Sequence, residues 1–353
     1  MNIKLLFLGI CISFYLSNAQ NVPIYVGTYT DGTSEGIYKL QFNTNTGALS
    51  ELQLAIATEN PSFIAYSPNK KFLYAVSESL GGSVSSYKIQ ENGLLKFLNK
   101  VSSNGKGPCH ISINRTGNKA VVSNYGGGTA AIYSIGRDGK LNEASQVFNY
   151  NTPERKAHAH SAQFFKDELF IADLGMNAVY QYKLKNNSYE LATPSIFKTT
   201  ENPGPRHFAL TKSGVFIYII NEYANAIISV KRTASGFEQI DYDSTLDENF
   251  KDKSFCADIH ISRDEKFVYG SNRGENTIAV FKRNKTTGTI EKIQTMPVQG
   301  DWPRNFTIDP TGKFLLVANQ KSGNVAIFSI DKSTGKLTFL HDVKVPSPVC
   351  LLF

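Results

Sequence analysis

Ile259-His260-Ile261-Ser262-Arg263-Asp264-Glu265-Lys266-Phe267-Val268-Tyr269-Gly270-Ser271-Asn272 reads as two short apolar strands joined by a polar turn. Working outward, the same hairpin recurs. Phe306-Thr307-Ile308-Asp309 turns at Pro310-Thr311-Gly312 into residues 313–319, and Phe208-Ala209-Leu210-Thr211 turns at Lys212-Ser213-Gly214 into residues 215–221. Ile111-Ser112-Ile113-Asn114 and Phe63-Ile64-Ala65-Tyr66-Ser67 open two more copies, and a looser one runs over residues 161–173. The second strand ends on a polar residue: Ser77, Asn124, Asp173, Asn221, Asn272, Asn319. Successive spacings are 47, 49, 48, 51 and 47 residues. A third strand follows in each copy, then a Gly turn such as Asn92-Gly93, Asp138-Gly139, Thr287-Gly288 or Thr334-Gly335, then usually a fourth strand. Four short strands repeated at this period predict an all-β propeller of four-stranded antiparallel blades.

The chain ends set the number of blades. Residues 24–57 supply only three strands, and the missing one is the inner strand. The C-terminal Ser347-Pro348-Val349-Cys350-Leu351-Leu352-Phe353 resembles the inner-strand start Asn60-Pro61-Ser62-Phe63-Ile64. The C-terminus is therefore expected to complete the first blade and make seven in all. Closure removes sheet edges that would otherwise pair with other chains. Six or eight blades would leave a strand unpaired.

Composition agrees with one large β domain. Of 353 residues, 41% are apolar and 12% aromatic, mostly 23 Phe and 17 Tyr, which suit pleated strands. Charged residues are 19% of the chain, which excludes a disordered one. The basic residues are scattered, and without a basic run no nucleic-acid partner is expected. Residues 1–19 read as a cleavable secretory signal, with Lys4, an apolar run over residues 5–16 and Ser17-Asn18-Ala19 before the cut. The run is short for a bilayer span, which needs about 20 residues. The mature propeller, residues 20–353, is thus expected to be secreted or periplasmic and free of the membrane. Its net charge falls from +7 to +6, because only Lys4 is lost. Three cysteines remain, Cys109, Cys256 and Cys350, with no CxxC or Cys/His cluster. At least one free thiol is expected, with no metal and no cofactor.

Topology gives the repeat a functional face. The first two strands of a blade are antiparallel, so the start of the first and the end of the second lie at one end of the channel. Strand-one starts offer His110, His160, Arg206, Asp258 and Arg304, and strand-two ends offer Glu78, Asn124, Asp173, Glu222 and Arg273. Polar groups from distant positions converging on one mouth predict a pocket there. The Asn and Asp residues recur in every blade, which also suits turn capping. Glu222 and Arg273 are blade-specific. Cys109 and Cys256 occupy equivalent strand positions by this count and read as core. His110, His207 and His260 fit structural roles as well.

The order of short motifs resembles the seven-bladed lactonase family. That family contains the propeller-type bacterial 6-phosphogluconolactonases and a fungal carboxymuconate lactonising enzyme. The resemblance rests on residues 23–30, on Gly107-Pro108-Cys109-His110, Asn124-Tyr125-Gly126-Gly127-Gly128, His158-Ala159-His160 and Ala172-Asp173-Leu174-Gly175, and on Gly204-Pro205-Arg206-His207, Asn221-Glu222, Ser271-Asn272-Arg273-Gly274 and Trp302-Pro303-Arg304-Asn305-Phe306. It implies a metal-independent lactonase whose His, Glu and two Arg are matched here by His160, Glu222, Arg206 and Arg273. His158 is the rival to His160, since alternation turns both the same way.

Three functions follow for testing. In the first, a small sugar lactone, with or without a phosphate, is hydrolysed: Glu222 or His160 activates water, and Arg273 and Arg206 hold the oxyanion. Arg304, His110, Asn124, Tyr125 and Asp173 bind substrate in this reading, since Arg in particular suits anionic groups. The second is cycloisomerisation of an unsaturated diacid. The third is a non-catalytic secreted propeller that binds a glycan or protein. HExxH and a phosphate-binding Gly loop are absent, and so are WD dipeptides. A monomer is expected.

Overall fold

Inner strands that are apolar on both faces must be covered on both faces, and a ring of blades does this. The computed structural model describes residues 21–199 and 203–353, so the expected signal, residues 1–19, lies outside them. The described residues form seven four-stranded antiparallel sheets. Blade 1 holds Asn21–Thr28, Gly36–Asn43 and Gln53–Ala57, and Pro348–Leu352 supplies its inner strand. That closing strand pairs Tyr25 with Leu352, Val26 with Leu351 and Gly27 with Cys350. It touches the inner strands of blade 7, Pro303–Ile308, and blade 2, Ile64–Tyr66, so the ring is shut.

Burial grades outward as the patterning requires. Second strands such as Lys119–Asn124, Phe216–Asn221 and Phe314–Asn319 are buried along their whole length. Outer strands such as Leu141–Asn149 alternate with solvent. Polar residues at the end of strand one cap the hairpin turn. The backbone N–H of Phe72 donates to Ser67 Oγ, that of Phe267 to Ser262 Oγ, and that of Phe314 to Asp309 Oδ1.

Neighbouring blades are stapled by tyrosines. Tyr25, Tyr218 and Tyr269 donate their hydroxyls to the carbonyls of Gly93, Gly288 and Gly335, each in the outer turn of the next blade. These glycines sit at φ near +80°, a conformation that the tight turn requires.

A second repeat concerns the mouth. In six blades the inner strand breaks register at its start. Pro205 pairs with Asn221 but His207 with Ile220, so Arg206 is bulged out. His160, Arg304, Cys109 and Val349 are the bulged residues of their own blades. In blade 6 Cys256 pairs with Asn272 and Ile259 with Gly270, and the extra residue falls between them. A bulge re-aims one side chain without changing the rest of the strand.

The chain enters the inner strands of five blades through a positive-φ residue just before a proline. These are Asn60, Gly107, Gly204, Trp302 and Ser347. The left-handed conformation costs a residue other than glycine about 1–2 kcal/mol.

Candidate active site

Three of the bulged residues, His160, Arg206 and Arg304, meet three residues that follow the strand-two caps, Glu78, Glu222 and Arg273. Glu222 is the centre. Its Oε2 lies 3.0 Å from Arg206 Nε and 2.9 Å from Arg273 Nη2. The Arg206 contact is an ion pair outside hydrogen-bond geometry, and Nε has no hydrogen-bond partner. Both guanidinium groups are anchored on the blade 6 backbone: Arg206 Nη1 donates to the Ala257 carbonyl at 2.5 Å, and Arg273 Nη2 to that of Cys256 at 2.9 Å. Arg304 stands over the Tyr29 ring, 3.7 Å from Glu78 Oε1, and the Tyr29 hydroxyl donates to Glu78 Oε2 at 2.8 Å.

The electrostatics follow from crowding cations in a dry place. Burial lowers Arg206 below the usual guanidinium value, Arg304 adds repulsion, and Glu222 offsets part of it. Burial and Arg206 bring Arg273 down to about 10. Arg304 goes the other way: burial opposes its charge, but Tyr29 and Glu78 raise it. His160 is buried and held well below the ordinary imidazole value, by desolvation first and then by Arg206, His207, Arg304 and Arg273. It is neutral, and its buried Nδ1 has no partner among the described residues. Three guanidinium groups face two carboxylates, so the mouth carries one uncompensated positive charge. Such a mouth favours an anion, or a group that becomes one.

Tyr125 forms the opposite wall. Its ring stacks on His158 at 4.4 Å and meets His160 edge-on at 5.7 Å. His158 Nδ1 is 2.9 Å from the Tyr125 carbonyl, so this rival to His160 is occupied on the rim.

Four candidates stand elsewhere. The Asn124 amide donates to the Ser103 carbonyl and to Thr129, clamping the connection into its own blade. Asp173 Oδ1 accepts the backbone N–H groups of His158 and Met176. Both are turn caps, and the residues one step on, Tyr125 and Leu174, hold the position of Glu222. His110 and Asp258 are also one residue out of step with the bulged side chains, so they lie deeper in the channel. Successive strand residues point to opposite sides, so a one-residue offset moves a side chain off the mouth. The same bulge corrects the pairing of the cysteines. Cys109 occupies the bulge, whereas Cys256 precedes it opposite Asn272. The three cysteines among the described residues are free and buried, and burial pushes each thiol up to about 12.

The deeper layer is a separate polar hub. Asp258 Oδ1 accepts from His207 Nδ1 at 2.7 Å and from the Ile259 N–H at 2.9 Å. Its Oδ2 accepts from His260 Nε2 at 3.1 Å, Asn305 Nδ2 at 2.5 Å and the Phe306 N–H at 3.3 Å. Asn305 Oδ1 in turn accepts from the Leu351 N–H in the closing strand. A 640 Å³ cavity lies at this end, lined by His110, His207, Asp258, His260 and Asn305, and by none of Glu222, Arg273 or Arg304. The Asp258 carboxylate is already saturated by its neighbours, so the candidate site is the mouth at the other end.

Sequence reading missed Tyr29 and Gln320. Both hold the position after the strand-two end that Glu78, Tyr125, Glu222 and Arg273 hold, and Gln320 Oε1 is buried without a partner. Counting one residue past each cap would have found both.

Comparison with known proteins settles the family. The family described as lactonase, 7-bladed beta-propeller, matches residues 23–353. The chain belongs to it. Among curated lactonase relatives, the 6-phosphogluconolactonase of Bacillus subtilis is 36% identical over 341 residues, covering 93% of this chain and 97% of that one. That of Formosa agariphila is 36% identical over 334 residues, covering 89% and 94%. Among solved structures, the periplasmic gluconolactonase of Pseudomonas aeruginosa superposes with a TM-score of 0.89 at 27% identity, covering 94% of this chain and 99% of that one.

Proposed function

We propose that this protein hydrolyses a sugar lactone of the 6-phosphogluconolactone type, opening the ring to the acid. The observation that carries the reading is Glu222, bound through one oxygen between Arg206 and Arg273 beside a neutral His160. The lactonase relatives support the reaction class. With Oε2 committed to both arginines, Oε1 is the atom that takes a proton from the attacking water. The carbonyl oxygen turns anionic as the tetrahedral intermediate forms, and Arg206 and Arg273 stand ready to stabilise it. They are fixed by backbone carbonyls beforehand, so no reorganisation is needed when charge appears. The proton on Glu222 then passes to the ring oxygen as it leaves, either directly or through His160. Arg304 binds the substrate beside them, with Tyr29 and Glu78 orienting its guanidinium. Tyr125 covers the sugar from the side.

A cleavable signal over residues 1–19 would put this chemistry outside the cytoplasm, and the Pseudomonas relative is named a periplasmic gluconolactonase.

The test is hydrolysis of freshly made 6-phosphogluconolactone and gluconolactone by residues 20–353, with chelator present, against the spontaneous rate. Acceleration of either supports the reading. Spontaneous rates for both would overturn it.

A further inference from the structure

The seven blades are copies, so they serve as an alignment of the protein with itself. Where the chain enters an inner strand at positive φ before proline, blades 3 and 5 use Gly107 and Gly204. Blades 2 and 1 use Asn60 and Ser347, both small. Blade 7 alone of these five places a tryptophan there, Trp302 at φ 68°. For a bulky side chain this is an outlier, and such strain persists only where its surroundings enforce it. Here they do. The Trp302 N–H donates to Asn276 Oδ1 at 2.9 Å, and its carbonyl accepts from the Gln320 N–H at 3.0 Å. Glycine would satisfy the same backbone without strain, so the retained indole must do something that glycine cannot.

Its contacts indicate what. The Arg273 guanidinium carbon lies 5.5 Å from the indole centroid, and Lys321 Nζ lies 3.3 Å from it. Arg273 reaches from there to Glu222. The Phe255 ring backs the indole at 6.3 Å. One aromatic ring therefore holds two cations that would otherwise repel, one inside the mouth and one exposed at its rim. Asp301, the acid nearest in sequence, has its Oδ1 engaged by Asn276 Nδ2.

We propose that Trp302 is a specificity-determining residue: its indole gathers Arg273 and Lys321 into a cationic subsite for the anionic arm of the substrate, a phosphate or a carboxylate. This rests on the lactonase reading and adds a station next to Glu222, on the side of the mouth away from Tyr125.

The chain contains one tryptophan, so its indole fluorescence reports this subsite alone. The protein is titrated with 6-phosphogluconate, with glucarate, whose second carboxylate takes the place of the phosphate, and with gluconate, which has only the C1 carboxylate that all three share. Saturable changes in emission with the first, the second or both, at concentrations where gluconate gives none, support the subsite and identify the arm. Equal responses to all three, or no response, overturn it. In parallel, the kcat/KM ratio for 6-phosphogluconolactone over gluconolactone is measured in Trp302→Gly, Trp302→Phe and Lys321→Met. The ratio should fall about fivefold to tenfold in the Gly and Met variants and be largely restored by Phe. Trp302→Gly should keep its melting temperature, since relief of strain offsets lost packing. A lowered melting temperature with an unchanged ratio would make Trp302 merely structural. If the wild-type chain hydrolyses no lactone while emission still discriminates the anions, the lactonase reading fails and the subsite stands.

Discussion

The two ends of the channel are built from the same strands, yet they are opposites in how their polar groups are used. At the mouth, His160 Nδ1, Gln320 Oε1 and Arg206 Nε are buried without hydrogen-bond partners. At the other end, the carboxylate of Asp258 accepts five hydrogen bonds from three blades. Buried groups left unpaired are costly, so a protein retains them where a ligand or water completes them. A saturated carboxylate has nothing left to offer a ligand and instead locks the ring. Arg206 and His207 are adjacent in sequence, and so are Arg304 and Asn305, yet the first of each pair belongs to the mouth and the second to the hub. His207 joins the two ends. Asp258 fixes the proton on its Nδ1, which leaves Nε2 to accept from Arg206 Nη1 at 3.4 Å.

This contrast can be broken most severely at Glu222. Glu222→Gln removes the proton acceptor while preserving shape, and lactone kcat should fall about 10²–10⁴-fold with the circular dichroism spectrum unchanged. A rate within twofold of wild type would move the base elsewhere. Asp258→Ala tests the opposite end. It leaves His207, His260 and Asn305 unpaired and should cost about 3–5 kcal/mol in denaturant unfolding. A loss of activity without loss of stability would put Asp258 with the mouth after all.

Titration separates the ends further. His110, His160 and His207 are buried with imidazole values held below 6.5, His207 at about 4. The unfolded chain binds these protons first as pH falls, so stability is full above 6.5 and drains away as pH drops from 6.5 towards 4. His260 is raised by Asp258 and works against this trend, but it is one group against three. Melting temperature should therefore decline across that window. If His160 takes part as a neutral group, the acid limb of kcat/KM should lie below the ordinary imidazole value of 6.5. An acid limb at or above 6.5 would remove His160 from that role.

The smallest expected effect lies in neither end. Tyr269→Phe deletes one staple between blades 6 and 7 and should cost about 0.5–1.5 kcal/mol with activity unchanged. A larger loss would mean that the blades depend on these hydroxyls more than on their apolar faces.

Period, strand count and closure were legible because they are local. Each hairpin carries its own alternation and turn residues, and the unmatched strand at 348–352 had one place to go. The residues that meet at the mouth were legible in type, since Glu222, Arg206, Arg273 and His160 broke an otherwise regular repeat. What the sequence could not yield was the offset of a single residue. It put His110, Asp258, Asn124 and Asp173 at the mouth, and passed over Tyr29, Gln320 and Trp302. A β-bulge carries no residue signature of its own, because Val349, Cys109, His160, Arg206 and Arg304 all occupy it. Its place is decided by how the inner strands pack around the channel, and that register alone determines which of two adjacent side chains faces the mouth.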